Sequence, residues 1–175
     1  IVHGNDNSVV EDAIDAGGGH YLGVALVDVD VSDAELKRLA ARGFRALRFH
    51  FMKHIAGGHD VADVVRLTAR LAAVGMHLQV HFESALVHTV GQALLKSAVP
   101  VVIDHMARVD ANLGQGHEDF QALMKLLDHA KIHVKVSGID RIESLSIPGQ
   151  GILKIYFRQG ADIGAAIAQI TAQSR

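Results

Sequence analysis

The sequence predicts an α/β fold of the TIM (β/α)₈ barrel type, incomplete at its ends, and three observations predict it. Short apolar segments alternate with helix-like ones along the 175 residues, the order that parallel strands joined by right-handed crossovers produce. The strand-like segments are apolar on one parity and polar on the other, whereas central strands of an open doubly wound sheet are apolar on both. Polar residues also collect at the carboxyl ends of successive strands, the rim on which a barrel gathers catalytic groups.

Taken in chain order, Ile1-Val2 reads as the end of a strand already under way. Five full strands follow at Leu22–Asp28, Arg45–Phe51, Met76–Phe82, Val101–His105 and Ile132–Ser137, each short, rich in Val, Ile, Leu or Phe, and bounded by turn residues. Between them, Ser32-Asp33-Ala34-Glu35 is a capping box, Asp60 opens a helical run ending at Gly75, and Ser84 opens one ending near Ser97. A complete barrel takes about 250 residues, so strands one and eight, and most of strand two, are expected to be missing or replaced. Residues 1–143 form the barrel part on this reading, and 144–175 are a tail of different character: a turn-rich stretch, a strand-like Ile152–Phe157 and a helix-like Ala161–Ala172. That tail reads either as a seventh unit or as sequence from an altered frame.

Parity gives the polar face. Leu47, Phe49 and Phe51 oppose Arg48 and His50; Leu78, Val80 and Phe82 oppose His77, Gln79 and His81; Ile132, Val134 and Val136 oppose His133, Lys135 and Ser137. In a barrel the apolar set packs on helices and the polar set lines the interior. The other reading puts these polar residues on edge strands facing water.

Composition narrows the partners. A formal net charge of −2 with a pI near 6.7 supplies no field for nucleic acid or an anionic membrane, leaving a small molecule as the expected partner. No cysteine occurs, which removes disulfides, thiolate metal sites and thiol nucleophiles and suits a reducing cytoplasm. No stretch approaches the roughly 18 apolar residues of a membrane span. Gly17-Gly18-Gly19 precedes a strand instead of following one, so it is no phosphate loop.

Histidine is abundant, at 12 residues. The strand-end candidates for chemistry are Asp28 and Asp30, Arg48 and His50, His81 and Glu83, Asp104 and His105, and Ser137, Asp140 and Arg141. His88, His117 and His129 fall in helical stretches and read as solvated or structural, and His54 and His59 flank the Ala56-Gly57-Gly58 loop.

At Arg45-Ala-Leu-Arg-Phe-His-Phe-Met, Gln79-Val-His-Phe-Glu, Val102-Ile-Asp-His-Met-Ala-Arg108 and Val134-Lys-Val-Ser-Gly-Ile-Asp-Arg141 the chain resembles the amidohydrolase-related family that includes the 2-pyrone-4,6-dicarboxylate lactonases. His3-Gly4-Asn5-Asp6-Asn7 is similar to the segment after that family's second strand. The resemblance implies a (β/α)₈ hydrolase that opens a cyclic ester bearing carboxylates, in the degradation of aromatic compounds. It implies His105 as the catalytic strand-end histidine, Arg48 and Arg141 as arginines holding substrate carboxylates, and His81 as a further substrate contact. The chain departs from the family in lacking the first-strand His-x-His pair and the last-strand aspartate that activates water. No metal is therefore assigned, and zinc or manganese enters only with that pair. Two other functions stay open: a metal-dependent decarboxylase or other hydrolase on the same barrel, and a truncated, inactive barrel serving as a binding or oligomeric module. A chain lacking terminal strands exposes edges, so homo-oligomers are expected in the last case.

Overall fold

A computed structural model describes residues 4–52 and 58–137, all within one compact unit, Ile1–Gly138. The strand expected at Ile1-Val2, His54, Asp140, Arg141 and the tail 144–175 lie outside the described residues. The order of elements is α1 (Ser8–Ala16), β1 (Gly23–Ala25), α2 (Asp33–Ala41), β2 (Phe44–Phe51), α3 (Val61–Ala73), β3 (His77–Phe82), α4 (Val90–Leu94), β4 (Val101–Ile103), α5 (Glu118–Leu127) and β5 (Ile132–Val134).

The helices begin where local chemistry starts them. Ser32 Oγ accepts the Glu35 amide at 3.1 Å, and Asp60 Oδ1 accepts the Ala62 amide at 2.8 Å, each satisfying an amide that the first turn leaves free. The capping box is only half made, because the Glu35 carboxylate turns to Arg38 instead of its own cap. Gly43 and Gly75, at φ +100° and +68°, make the reversals from α2 into β2 and from α3 into β3, where a Cβ would be strained. The run opened by Ser84 is a 3₁₀ turn, Ser84–His88, followed by the short α4. His117 caps α5 by accepting the Asp119 amide, and His129 follows the end of that helix.

The five strands pair in parallel in the order β1-β2-β3-β4-β5. Sequential order with every crossover in one direction distinguishes an arc of a barrel from a doubly wound sheet, whose order reverses at a switch point. Register aligns Leu47 with Leu78, Leu78 with Val101 and Val101 with Ile132, and likewise Phe49, Val80, Ile103 and Val134. This is the outer face. It packs against Leu36 and Leu39 of α2, Val64, Leu67 and Leu71 of α3, and Leu123 and Leu126 of α5 in one apolar cluster. Each fully buried Leu, Ile or Phe there contributes roughly 1.5–3 kcal/mol. Strand side chains of the opposite parity face inward. Arg48, Gln79, Val102 and His133 form one row, and His50 and His81 the row above it.

Three strands stop sooner than the sequence suggests, β5 among them, ending at Val134 where Ser137 was expected. β1 covers only Gly23–Ala25, after which Asn7 takes over the pairing, donating to Leu26 O and accepting from Leu26 N. β4 ends at Ile103, and the next residues turn back in a left-handed conformation. Among the described residues no helix is long and apolar enough to cross a membrane.

Candidate active site

The inner face gathers its polar groups around one buried carboxylate. Asp104, directly after β4, is fully buried. Gln79 Nε2 donates to both of its oxygens at 2.7 and 2.8 Å, Arg48 Nη2 lies 2.5 Å from Oδ2, and Lys135 Nζ lies 3.6 Å from Oδ1. Groups contributed by β2, β3, β4 and the segment after β5 thus meet at one side chain. A buried carboxylate requires such partners.

Above this cluster stand three imidazoles in sequence around the arc. His50 and His81 are register partners whose ring centroids lie 5.6 Å apart, and His81 meets His105 edge-on at 5.1 Å. Ser137 Oγ sits 3.0 Å from His105 Nδ1. Burial, with the Arg48 guanidinium and then the neighbouring imidazoles adding to it, pushes His81 from 6.5 down to about 4. Burial first and Arg48 second also lower His50. Three buried nitrogens of this face, Arg48 Nε, His50 Nδ1 and His81 Nε2, have no hydrogen-bond partner among the described residues. Unmatched buried donors and acceptors are rare in folded proteins, and three on one face set this region apart.

His105 is presented by an unusual backbone. His105, Met106, Ala107 and Arg108 all have positive φ, between 51° and 53°, although none is glycine. Left-handed backbone costs L-residues roughly 1–2 kcal/mol each, so the surroundings must hold it. Ala107 is fully buried, and the Met106 amide donates to Lys135 O at 3.2 Å while the Lys135 amide donates to Ile103 O at 2.8 Å. Strain of this kind concentrates where side chains must be aimed.

The structure therefore brings Arg48, His81 and His105 onto one region of the inner face, while Arg141 lies outside the described residues. Sequence reasoning did not single out Gln79 or Lys135. Both stood on the polar parity, which was the available signal. His59 lies beside β2, edge-on to Phe49 at 5.2 Å and 3.9 Å from exposed Asp28. His88 pairs with Asp119 Oδ1 at 2.9 Å, a contact that joins the Ser84–His88 turn to α5.

A catalytic divalent ion does not fit the donor set of the described residues. The inner face offers His50, His81 and His105, which are not among the groups of described residues whose ligand atoms could share one ion, and Asp104 is engaged by Gln79 and Arg48. The grouping close enough to share an ion, His88, Glu118 and Asp119, sits in the helical layer.

A pH dependence of stability follows from His81. The unfolded chain protonates this histidine near 6.5 and the folded chain only near 4, so between these values the unfolded state binds more protons. Stability contributed by neutral His81 is complete above about pH 6.5 and lost as pH falls toward 4. His50 acts in the same direction. Urea midpoints should correspond to a loss of about 2 kcal/mol from pH 7 to pH 4.5 that shrinks in His81→Gln. An equal loss in the variant would assign the effect elsewhere.

Comparison with known proteins places this geometry. The amidohydrolase family model matches residues 1–172. The chain is 33% identical over 141 residues to a 2-pyrone-4,6-dicarboxylate hydrolase of Comamonas testosteroni, across 80% of this chain and 46% of that protein. It is 30% identical over 155 residues to a 4-sulfomuconolactone hydrolase of Hydrogenophaga intermedia, across 88% of this chain and 51% of that one. It spans about half the length of the curated relatives it matches. Among solved structures, a protein of Pseudomonas putida named as a 2-pyrone-4,6-dicarboxylic acid hydrolase superposes with a TM-score of 0.72 at 26% identity, over 98% of this chain and 71% of that chain. A similarly named protein of Acinetobacter baumannii, solved with citric acid bound, gives 0.67 at 26% identity, over 79% and 52%. With its parallel strands in sequential order, its helices on the outer face and a family match over nearly its whole length, the chain belongs to the amidohydrolase family.

Proposed function

We propose that this chain carries the site of a hydrolase that opens a carboxylated lactone by water attack. The observation that supports it most is the setting of His105, with a hydroxyl at its Nδ1, a neutral imidazole against its ring and a partly buried guanidinium on the same face. The names of its relatives, hydrolases of 2-pyrone-4,6-dicarboxylate and 4-sulfomuconolactone, support an anionic lactone as the substrate class. In the reaction water adds to the lactone carbonyl carbon, the ring C–O bond breaks, the ring oxygen takes up a proton and a new carboxylate remains.

In this reading His105 is catalytic: with Nδ1 facing Ser137, its Nε2 polarises the carbonyl or positions the water. Arg48 and Arg141 hold substrate carboxylates. His81 contacts the substrate as a neutral imidazole. A small anionic molecule as partner, a cytoplasmic setting and self-association complete the reading. The absence of cysteine supports the setting.

Steady-state hydrolysis tests the substrate class. Arg141→Ala should lower kcat/KM at least about tenfold for a dicarboxylate lactone, the equivalent of one lost charge-assisted bond. An uncharged lactone should be turned over at nearly the original rate. Equal losses on both substrates would remove the carboxylate-clamp role.

A further inference from the structure

Lys135 stands one residue past β5, two residues beyond His133 and so on the same inner-face parity. Its backbone is fixed at both ends of the peptide unit, the amide on Ile103 O and the carbonyl under the Met106 amide. Its side chain, by contrast, is half exposed, with Nζ 3.6 Å from Asp104 Oδ1, beyond hydrogen-bonding range. Asp104 does not need it, since Gln79 reaches both carboxylate oxygens and Arg48 takes one. Among the described residues that meet here, one carboxylate thus faces two cations, an excess of about one positive charge, beside three nitrogens with no hydrogen-bond partner among those residues.

From this charge balance we infer that Lys135 is a substrate-binding residue: its ammonium and the Arg48 guanidinium, held apart by Asp104 between them, form a two-cation site for a dicarboxylate. Arg48 takes one carboxylate and Lys135 reaches the other, in addition to the arginine contacts proposed above, so Lys135 strengthens the preference for two anionic groups over one. The inference rests on the reading of the inner face as the substrate site. A lysine serving only to steady Asp104 would instead leave ligand affinity unchanged when replaced.

Equilibrium binding to the full 175-residue chain separates these roles, with benzene-1,3-dicarboxylate and benzoate as probes and calorimetry as the readout. The intact chain should prefer the dicarboxylate. Lys135→Gln should weaken dicarboxylate binding about tenfold, a half-exposed charge being partly screened, and change benzoate binding less than about twofold. Lys135→Arg should restore most of the preference, and Lys125→Gln, on the exposed side of α5, should leave it intact. Lys135→Met, which keeps the aliphatic length, gives the same comparison if Lys135→Gln does not fold. Unchanged dicarboxylate affinity in the charge-removing variant, or no saturable dicarboxylate binding by the intact chain, would overturn the inference. Lactone hydrolysis is measured separately. Selective binding without turnover would remove the hydrolase reading and leave the two-cation site standing.

Discussion

Asp104→Ala should lower the unfolding free energy by about 3–5 kcal/mol, the cost of leaving one partner of a buried ion pair uncompensated. The magnitude follows from what surrounds the side chain. Arg48 already has a buried Nε without a partner among the described residues, and removing Asp104 would take from its Nη2 and from the Gln79 amide the carboxylate they bind. Lys135 cannot compensate, since it brings only more positive charge. Because single domains are stable by only about 5–15 kcal/mol, such a loss would move the urea midpoint far down. Urea unfolding followed by circular dichroism decides, and a loss under about 1 kcal/mol would show that water replaces the carboxylate and that the cluster is not buried in solution.

His105→Ala should reduce kcat of lactone hydrolysis by about 10²–10⁴-fold, the usual contribution of a positioned group that moves a proton or polarises a carbonyl. The loss should be the same for charged and uncharged lactones, because both present the carbonyl to the same imidazole. This pattern contrasts with that of Arg141→Ala, which discriminates by substrate charge. Stability should change little or rise slightly, as the variant keeps a left-handed residue at the same position but removes only a half-buried ring. An enzyme with undiminished kcat would transfer the catalytic role to another group of the inner face.

Much of the fold was legible in the sequence because it rests on one-dimensional periodicities. The alternation of Leu47, Phe49 and Phe51 with Arg48 and His50 identified both strand and faces, and Ser32 and Asp60 marked helix starts through bonds to amides within three residues. The site was legible only in part. Arg48, His81 and His105 were found at strand ends, but Gln79 and Lys135 gave no signal beyond parity. Their significance comes from a partner on another strand.

The sequence by itself determined the parallel α/β class, the number of strands in the described region and the side of each strand that is apolar. These depend on hydrophobic period and on capping, which act over a few residues. Only the tertiary structure decided where each strand stops, that Asp104 collects Gln79, Arg48 and Lys135, and that His105 opens a left-handed turn. No local preference favours that turn in Asp104-His105-Met106-Ala107-Arg108, which lacks glycine. It forms because burying Ala107 and pairing the Met106 amide with Lys135 O outweigh a backbone cost that local sequence alone would avoid.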